Sequence, residues 1–204
     1  MNLDTTIIVL AGGASRRLGR DKAVEEVGGR PLIQRVIERL ALVDAEIVVV
    51  VNNPNRVKSL PLPDSNQIAI DLFPGRGALG GIYTGLKTAK TGWGMVVACD
   101  MPFLNAALLN YILSQRGGTD VVVPLLGGFT EPTHAAYSKT CLPIMERCLL
   151  AHDLKITEVF DQVRVRYIEA VEIERFDPDH LGFLNINTEQ DLEYANQLAS
   201  LMTD

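Results

Sequence analysis

The residues Ile7-Ile-Val-Leu-Ala-Gly-Gly-Ala-Ser-Arg-Arg-Leu-Gly-Arg-Asp-Lys22 say most about how this chain folds. Their apolar start runs through Leu10 and Ala11 directly into Gly12 and Gly13. A run that is apolar throughout is typical of a strand buried on both faces of a parallel sheet. Glycines at its end let backbone N–H groups approach an anion, because no side chain stands in the way. We therefore predict a ligand-binding loop at the carboxyl end of the first strand of an open α/β sheet.

Positive charge follows the two glycines. Arg16 and Arg17 can bind an anion with a fork of donors, and Lys22 supplies a mobile ammonium group. The alternative is a basic turn that only faces water, but the order of strand, glycines and cations favours a phosphate-binding loop. A P-loop is excluded, because the sixth residue counted from Gly12 or Gly13 is Arg17 or Leu18 where that motif has glycine.

Apolar runs and helical patterns alternate through the first two thirds of the chain. The runs are Thr6–Leu10, Glu46–Val51, Ile68–Ile70, Met95–Cys99 and Val121–Pro124. Helices are predicted from Pro31 to Leu40, from Leu79 to Ala89 and from Asn105 to Gln115. This alternation predicts an α/β fold with a three-layer, open and mostly parallel sheet. With 204 residues, against about 150 per domain, we predict one domain over residues 1–204.

After Pro124 the pattern changes to a β/α elaboration of that sheet. Gly127-Gly128 predicts a turn, and a helix is expected over Leu142–Leu150. Val163–Ile168 alternates, which favours a strand that is antiparallel or lies at an edge. Thr188-Glu-Gln-Asp191 has the spacing of a capping box at the start of a last helix.

Composition excludes several classes of protein. The hydrophobic content of 47% rules out disorder, and no apolar run approaches the ~20 residues of a membrane helix. The N-terminus has no positive segment of the kind that begins a signal peptide. A net charge of −6 argues against nucleic acid as a partner. Three cysteines without paired spacing fit a reducing cytoplasm, so we expect a cytoplasmic protein with neither nucleic-acid nor membrane partners.

Polar residues end three of the predicted strands. Asp100 follows Met95–Cys99 and is too far from the helix expected near Asn105 to cap it directly. A carboxylate at this edge of the sheet suits Mg²⁺, which prefers one or two carboxylates together with phosphate oxygens. Asn52 and Asp71 end two other strands, where a polar residue read alone is more often a turn residue than a ligand.

A second glycine pattern, Gly75-Arg-Gly-Ala-Leu-Gly80, matches the dinucleotide fingerprint G-x-G-x-x-G. We consider this match weak, because the fingerprint normally follows the first strand of its unit and two strands precede it here. Asp100 is also in a D-x-P context that suits a metal better than a ribose. NAD binding therefore remains a minor alternative.

In five segments the chain resembles the molybdenum cofactor guanylyltransferases, a family of the nucleotidyltransferase superfamily with a Rossmann-like fold. The segments are L-A-G-G-A-S-R-R-L-G-R-D-K (10–22), G-A-L-G-G-I (77–82), C-D-M-P-F (99–103), E-P-T-H-A-A-Y (131–137) and F-L-N-I-N-T (183–188). They occur in the family's order from Ile7 to Leu192. Leu18 stands where methionine is commoner, a swap of similar size that puts little in doubt.

The resemblance implies Mg²⁺-dependent transfer of GMP from GTP to the molybdopterin cofactor, with release of pyrophosphate. Molybdoenzymes or their chaperones would be downstream partners. The implied GTP-binding part is about 1–124 and the acceptor side about 125–204. Lys22, Asp100 and Arg16 are the implied catalytic residues, with Asp100 as metal ligand and Asn185 and Asn187 on the acceptor side. The implied GTP-binding residues are Leu10, Ala11, Gly12, Gly13, Lys22, Asn52, Asp71 and Asp100.

Other functions stay open at this point. A CTP-using cofactor cytidylyltransferase or a sugar-phosphate nucleotidyltransferase would use the same chemistry. An NAD-dependent oxidoreductase would use Gly75–Gly80, and a nucleotide-binding module would bind GTP without turnover. His134, in the fourth segment, is expected to be a strand residue with a satisfied hydrogen bond, although a ligand role is the alternative.

Overall fold

The computed structural model describes residues 4–12, 21–63 and 66–201. Within them, eight strands form one sheet, with β8 paired to β7 outside the order β10-β7-β9-β6-β1-β4-β5. A separate two-stranded ribbon pairs β2 with β3. The strands are β1 (Thr5–Leu10), β2 (Glu26–Val27), β3 (Arg30–Pro31), β4 (Glu46–Val51), β5 (Gln67–Ile70), β6 (Trp93–Ala98), β7 (Val121–Leu126), β8 (Phe129–Thr130), β9 (His134–Ser138) and β10 (Val165–Glu169).

The helices lie between the strands, as the alternation predicts. They are α1 (Leu32–Leu40), α2 (Asn55–Ser59), α3 (Gly77–Thr88), α4 (Ala106–Ser114), α5 (Leu142–Leu150), α6 (Ile156–Phe160), α7 (Ala170–Ile173) and α8 (Glu189–Leu201). Short 3₁₀ turns cover Lys22–Val24, Lys139–Cys141 and Leu181–Phe183. Asn105, not Asp100, caps α4, because its side chain accepts a hydrogen bond from the Leu108 N–H.

The sheet is covered on both faces, which confirms the three-layer α/β architecture. Successive residues of a strand point to opposite faces. Ile7 and Val9 accordingly join a core cluster with α1 and α4, while Ile8 joins a second cluster with α3, α5 and α6. All three side chains are fully buried, which is why β1 has no polar face in its sequence.

Strand directions place six carboxyl ends, those of β1, β4, β5, β6, β7 and β10, at one edge. β1 is parallel to β4 and β6, and β4 is parallel to β5. β9 runs against β6 and β7, and β8 runs against β7 across the predicted turn at Gly127-Gly128. β10 lies at the edge of the sheet and is parallel to β7, so the antiparallel alternative for Val163–Ile168 was wrong.

The last helix returns the chain to the ribbon near its start. Thr188 and Asp191 form the predicted reciprocal cap, in which the Asp191 carboxylate accepts from the Thr188 N–H and the Thr188 hydroxyl accepts from the Asp191 N–H. Ala195 and Ala199 of α8 pack with Val27 and Leu32 in a small third cluster. Among the described residues, no helix combines the length and apolar character needed to cross a bilayer.

Candidate active site

A cavity of about 460 Å³ opens at the carboxyl ends of the parallel strands β6, β1, β4 and β5. Residues that follow each of these strands line it, together with the turn at Lys22 and the start of α3. The lining consists of Leu10, Gly12, Asp21, Lys22, Ala23, Val50, Val51, Asn52, Arg56, Asp71, Gly75, Gly77, Ala78, Gly81, Ala98, Cys99, Asp100 and Thr133. Open α/β sheets bind ligands at this edge.

Lys22 bridges two polar side chains in this cavity. Its ammonium Nζ lies 3.3 Å from Asp100 Oδ2 and 2.5 Å from Asn187 Oδ1. The Lys22 and Asp100 side chains are only 18% and 17% exposed. Asp100 is further fixed by its backbone, because its carbonyl accepts a hydrogen bond from the Ile186 N–H at 3.0 Å. The segment before α8 therefore contacts both Lys22 and Asp100 beside the cavity.

Gly12 and Asn52 form the floor where β1 and β4 end. The Ala11 N–H donates to the Val50 carbonyl at 2.8 Å, which extends the strand pairing one residue beyond β1. A Cβ on Gly12 would lie 3.2 Å from the Asn52 backbone nitrogen, so a side chain at this point would press the two strand ends apart. Ala11 itself is fully buried beneath the cavity.

Asp71 is held in a fixed orientation by its neighbours. Its Oδ1 accepts hydrogen bonds from the Phe73 N–H and the Thr84 hydroxyl, both at 3.0 Å. The Thr84 hydroxyl accepts in turn from the Leu72 N–H at 2.9 Å. Gly80 makes room for this turn, because a Cβ there would lie 2.8 Å from the Phe73 carbonyl oxygen. Asp71 is thus a rigid acceptor at the wall of the cavity.

The loop Gly75–Gly80 lines the same cavity but does not have the arrangement of a dinucleotide site. Gly75 and Gly77 both have positive φ, 82° and 63°, and α3 begins at Gly77. In a dinucleotide unit the next strand lies beside the first. Here β6 is separated from β5 by β1 and β4, so Asp100 lies across the sheet from this loop. The topology argues against the NAD alternative.

The cysteine that lines the cavity, Cys99, is not an activated nucleophile. Burial, together with a smaller effect of the neighbouring Asp100 charge, raises the pKa of the Cys99 thiol to about 12. All three cysteines, Cys99, Cys141 and Cys148, are buried and free. The described residues also contain no cluster of three or more His, Cys, Asp or Glu side chains that could hold a metal on its own.

The structure brings together most of the side chains singled out from the sequence. Leu10, Gly12, Lys22, Asn52, Asp71 and Asp100 line one cavity, and Asn187 contacts Lys22. Asn185 is not brought to the cavity lining, since its amide donates to the Phe183 carbonyl at 3.2 Å within its own turn. Gly13, Arg16 and Arg17 lie outside the described residues.

His134 departs from its expected role. It lies in β9 as predicted, is fully buried, and stacks on Phe183 with ring centroids 4.4 Å apart. Neither of its ring nitrogens meets hydrogen-bond geometry with a described residue, so the expected satisfied hydrogen bond was wrong. Burial lowers the pKa of His134 to about 3, against a smaller raising effect of the Gly182 backbone, and the ring is neutral.

Sequence reasoning missed an ion pair in the cavity wall. Arg56 Nη2 donates to Asp21 Oδ1 at 2.6 Å, and both residues line the cavity. Asp21 could have been noticed because it precedes Lys22 in the basic segment. Nothing in the sequence around Arg56 marks it, because α2 has only five residues and no apolar periodicity. Thr133 also lines the cavity, and although it lies in the fourth segment of the resemblance it was not named as a site residue.

Comparison with known proteins agrees with this geometry. Residues 7–166 match the family model described as the MobA-like NTP transferase domain. A molybdenum cofactor guanylyltransferase of Desulfosudis oleivorans is 40% identical, covering 93% of this chain and 93% of that protein. A "Probable molybdenum cofactor guanylyltransferase" of Pelotomaculum thermopropionicum is 37% identical, covering 97% and 94%.

The fold of this chain is also similar to that of a solved structure. It is the molybdopterin-guanine dinucleotide biosynthesis protein A of Archaeoglobus fulgidus, which superposes with a TM-score of 0.85 at 28% identity. The match covers 96% of this chain and 98% of that one. Sequence and structure thus agree along nearly the whole length, and the chain belongs to the family of MobA-like NTP transferase domains.

Proposed function

We propose that this protein transfers GMP from GTP to the molybdopterin form of the molybdenum cofactor and releases pyrophosphate. The observation that carries the proposal is the Lys22 ammonium, held between Asp100 and Asn187 in a cavity at the carboxyl edge of the sheet. A cation in this position can bind the phosphates of a nucleotide. The relatives named as molybdenum cofactor guanylyltransferases support the choice of nucleotide and acceptor.

The reaction follows from the charges in the cavity. A phosphate oxygen of the acceptor attacks the α-phosphorus of GTP and forms the new P–O bond. The bond from the α-phosphorus to the bridging oxygen breaks, and its electrons leave with pyrophosphate. The nucleophile is already an anion, so no general base is required. The protein has mainly to position both reactants and offset their negative charge, which is the task of Lys22 and the loop at Gly12.

Asp100 is the residue that would hold a magnesium ion. Its carboxylate lies in the cavity wall and already binds a cation, the Lys22 ammonium. A single carboxylate suits Mg²⁺ that arrives with a nucleotide, because phosphate oxygens and water complete its coordination. Bound there, Mg²⁺ would offset charge on the phosphates during transfer.

The remaining site residues complete the proposal. We propose that Leu10, Ala11, Gly12 and Gly13 form the nucleotide loop, with Asn52 and Asp71 as further nucleotide contacts and Arg16 as a phosphate contact. Asn187 would help to hold Lys22, and Asn185 would act only on the acceptor side. The GTP-binding part would be residues 1–124 and the acceptor side residues 125–204. The cytoplasmic location and partnership with molybdoenzymes or their chaperones stay predictions.

Pyrophosphate release tests the proposal directly. The purified protein would be given each of the four nucleoside triphosphates with Mg²⁺, with and without molybdopterin cofactor. We expect release with GTP that depends on the acceptor, and a kcat/KM for GTP at least tenfold above that for CTP. Asp71 supports this preference, because a fixed carboxylate can accept from the N1–H and N2–H₂ groups of guanine, and cytosine lacks that pair of donors. A CTP preference would instead favour the cytidylyltransferase, and GTP binding without turnover would favour a nucleotide-binding module.

A further inference from the structure

The ion pair of Asp21 with Arg56 lies next to Lys22 and connects the turn that carries this lysine to the far wall of the cavity. Arg56 Nη2 lies 2.6 Å from Asp21 Oδ1, and the two side chains are 14% and 31% exposed. Partly buried pairs of this kind are screened less by water and salt than pairs on the surface. Arg56 stands on α2, after β4, whereas Asp21 belongs to the segment that follows β1.

Asp21 also fixes the conformation of the turn at Lys22. The same Oδ1 that binds Arg56 accepts a hydrogen bond from the Ala23 N–H at 3.1 Å, so Asp21 caps the 3₁₀ turn Lys22–Val24. The Asp21 carboxylate therefore both pairs with Arg56 and caps the turn, and the pairing with Arg56 holds the carboxylate in the orientation that capping requires. Arg56 is itself held at its backbone, because Asn53 Oδ1 accepts from its N–H at 3.3 Å.

Lys22 extends to the opposite side of the cavity. Its ammonium contacts Asp100 and Asn187, while Asp21, one residue earlier, contacts Arg56. Asp21 and Lys22, which are neighbours in the chain, thus connect the turn Lys22–Val24 to Arg56 on one side and to Asp100 and Asn187 on the other. We infer that Arg56 is a positioning residue that acts through Asp21 to hold Lys22 where it can bind the nucleotide phosphates. This inference rests on the proposed function, since it concerns how Lys22 is presented to GTP.

Arg56 has a second effect through its charge. Without the guanidinium, the Asp21 carboxylate would lose the ion pair that it makes among the described residues, in the wall of a cavity that would take a polyphosphate. Like charges at this range repel, and a partly buried site strengthens the repulsion. Arg56→Ala should therefore lose both the orientation of the turn and the neutralisation of Asp21, whereas Arg56→Lys should keep the charge and lose only the planar fork.

A double-mutant cycle with Lys22 tests the inference. Arg56→Ala should weaken GTP binding, measured by calorimetry, and lower kcat/KM by about tenfold or more, with Arg56→Lys recovering part of the loss. In a Lys22→Ala background the same substitution should cost several-fold less in either quantity, because the residue that it positions is gone and only the loss of neutralisation at Asp21 remains. Arg30→Ala is the matched control, since Arg30 pairs with Glu38 on an exposed face, and it should behave as wild type.

A second measurement does not depend on the nucleotide. With a limiting amine-acylating reagent and mass spectrometry, Lys22 should react several-fold faster in Arg56→Ala than in wild type, and the 75%-exposed Lys90 side chain should react equally in both. An equal loss of GTP affinity in both Lys22 backgrounds, or unchanged Lys22 reactivity, would overturn the inference. Wild-type protein that binds no GTP would overturn the proposed function as well, whereas active wild type with a fully active Arg56→Ala would overturn the inference alone.

Discussion

The ammonium of Lys22 lies 3.3 Å from a carboxylate oxygen of Asp100, although 78 positions separate the two residues in the chain. Lys22 follows β1 and Asp100 follows β6, and these strands are neighbours in the sheet. In the proposed reaction this contact joins two charges, one that would bind the phosphates and one that would hold a divalent cation. Each residue can be tested separately.

Lys22→Ala should remove most of the activity and leave the fold intact. The lost phosphate contact should cost on the order of 2–4 kcal/mol of transition-state stabilisation, so we expect a fall in kcat/KM of about 30- to 1000-fold. Lys90→Ala is a suitable control, because Lys90 is exposed and pairs only loosely with Glu46 at 3.8 Å. Turnover within threefold of wild type, with unchanged thermal stability, would refute the role given to Lys22.

Asp100→Asn should weaken the dependence on Mg²⁺ more than it weakens nucleotide binding without metal. The amide keeps the shape of the side chain and removes the negative charge that a hard cation prefers. We expect the Mg²⁺ concentration needed for half-maximal activity, and for half-maximal metal-dependent GTP binding, to rise at least tenfold. Asp161→Asn carries the same charge change at an exposed position after α6 and should titrate like wild type. Matching Mg²⁺ titrations for Asp100→Asn and wild type would contradict the metal assignment.

The elements that sequence reasoning located are those with a clear apolar pattern. β1 and β4 were predicted with bounds close to those observed, because a strand that is largely buried on both faces gives an almost uninterrupted apolar run. α5 was predicted over Leu142–Leu150 and is observed there. The direction of β10 was not predictable in the same way, because pairing depends on a partner strand that is distant in sequence. Its five residues carry no mark of whether that partner runs parallel or antiparallel.

The residues of the candidate site also differ in whether the sequence could predict them. Residues that directly follow an apolar run, such as Asn52 and Asp71, could be placed at the sheet edge because parallel strands end there together. Arg56 could not be placed, because its importance lies in a contact with Asp21 across 35 positions. Asn185 and Asn187 were indistinguishable in sequence, and only the fold of their turn directs Asn187 to Lys22.

Gly85→Ala should destabilise the fold. Gly85 of α3 packs on Ile8 of β1, and a Cβ there would overlap Ile8 Cγ2 and lie 3.0 Å from two more atoms of the same side chain. Ile8 cannot move aside easily, because it is fully buried and Gly94 faces it from β6. Overpacking of this kind costs about 1–3 kcal/mol, which exceeds the helix propensity gained from alanine.

Thermal unfolding measures this effect, with a shift of about 2–4 °C for each kcal/mol in a chain of this size. Gly117→Ala is the matched control, because a Cβ at Gly117 meets nothing within 4 Å. We expect Gly117→Ala to leave the melting temperature within about a degree of wild type. If Gly85→Ala melted at or above the wild-type temperature, the close packing of α3 on β1 would be disproved.

His134→Leu should remove part of the acid sensitivity of the fold. The pKa of His134 is lowered by burial to about 3 in the folded protein, below the value of about 6.5 that an unfolded chain would have. Below pH 6.5 the unfolded state therefore takes up a proton that the folded state does not, so stability falls as the pH falls. By pH 5 the loss of folding stability from this one group is about 2 kcal/mol by linkage.

Because neither ring nitrogen is hydrogen-bonded to a described residue, replacing the ring with an apolar side chain should cost little at pH 8. Denaturant unfolding of wild type and His134→Leu at pH 8 and pH 5 measures the free energy of unfolding of each. Between pH 8 and pH 5 this free energy should fall less for His134→Leu than for wild type. Stability curves that stay parallel between these two pH values would show that His134 is not buried as a neutral ring.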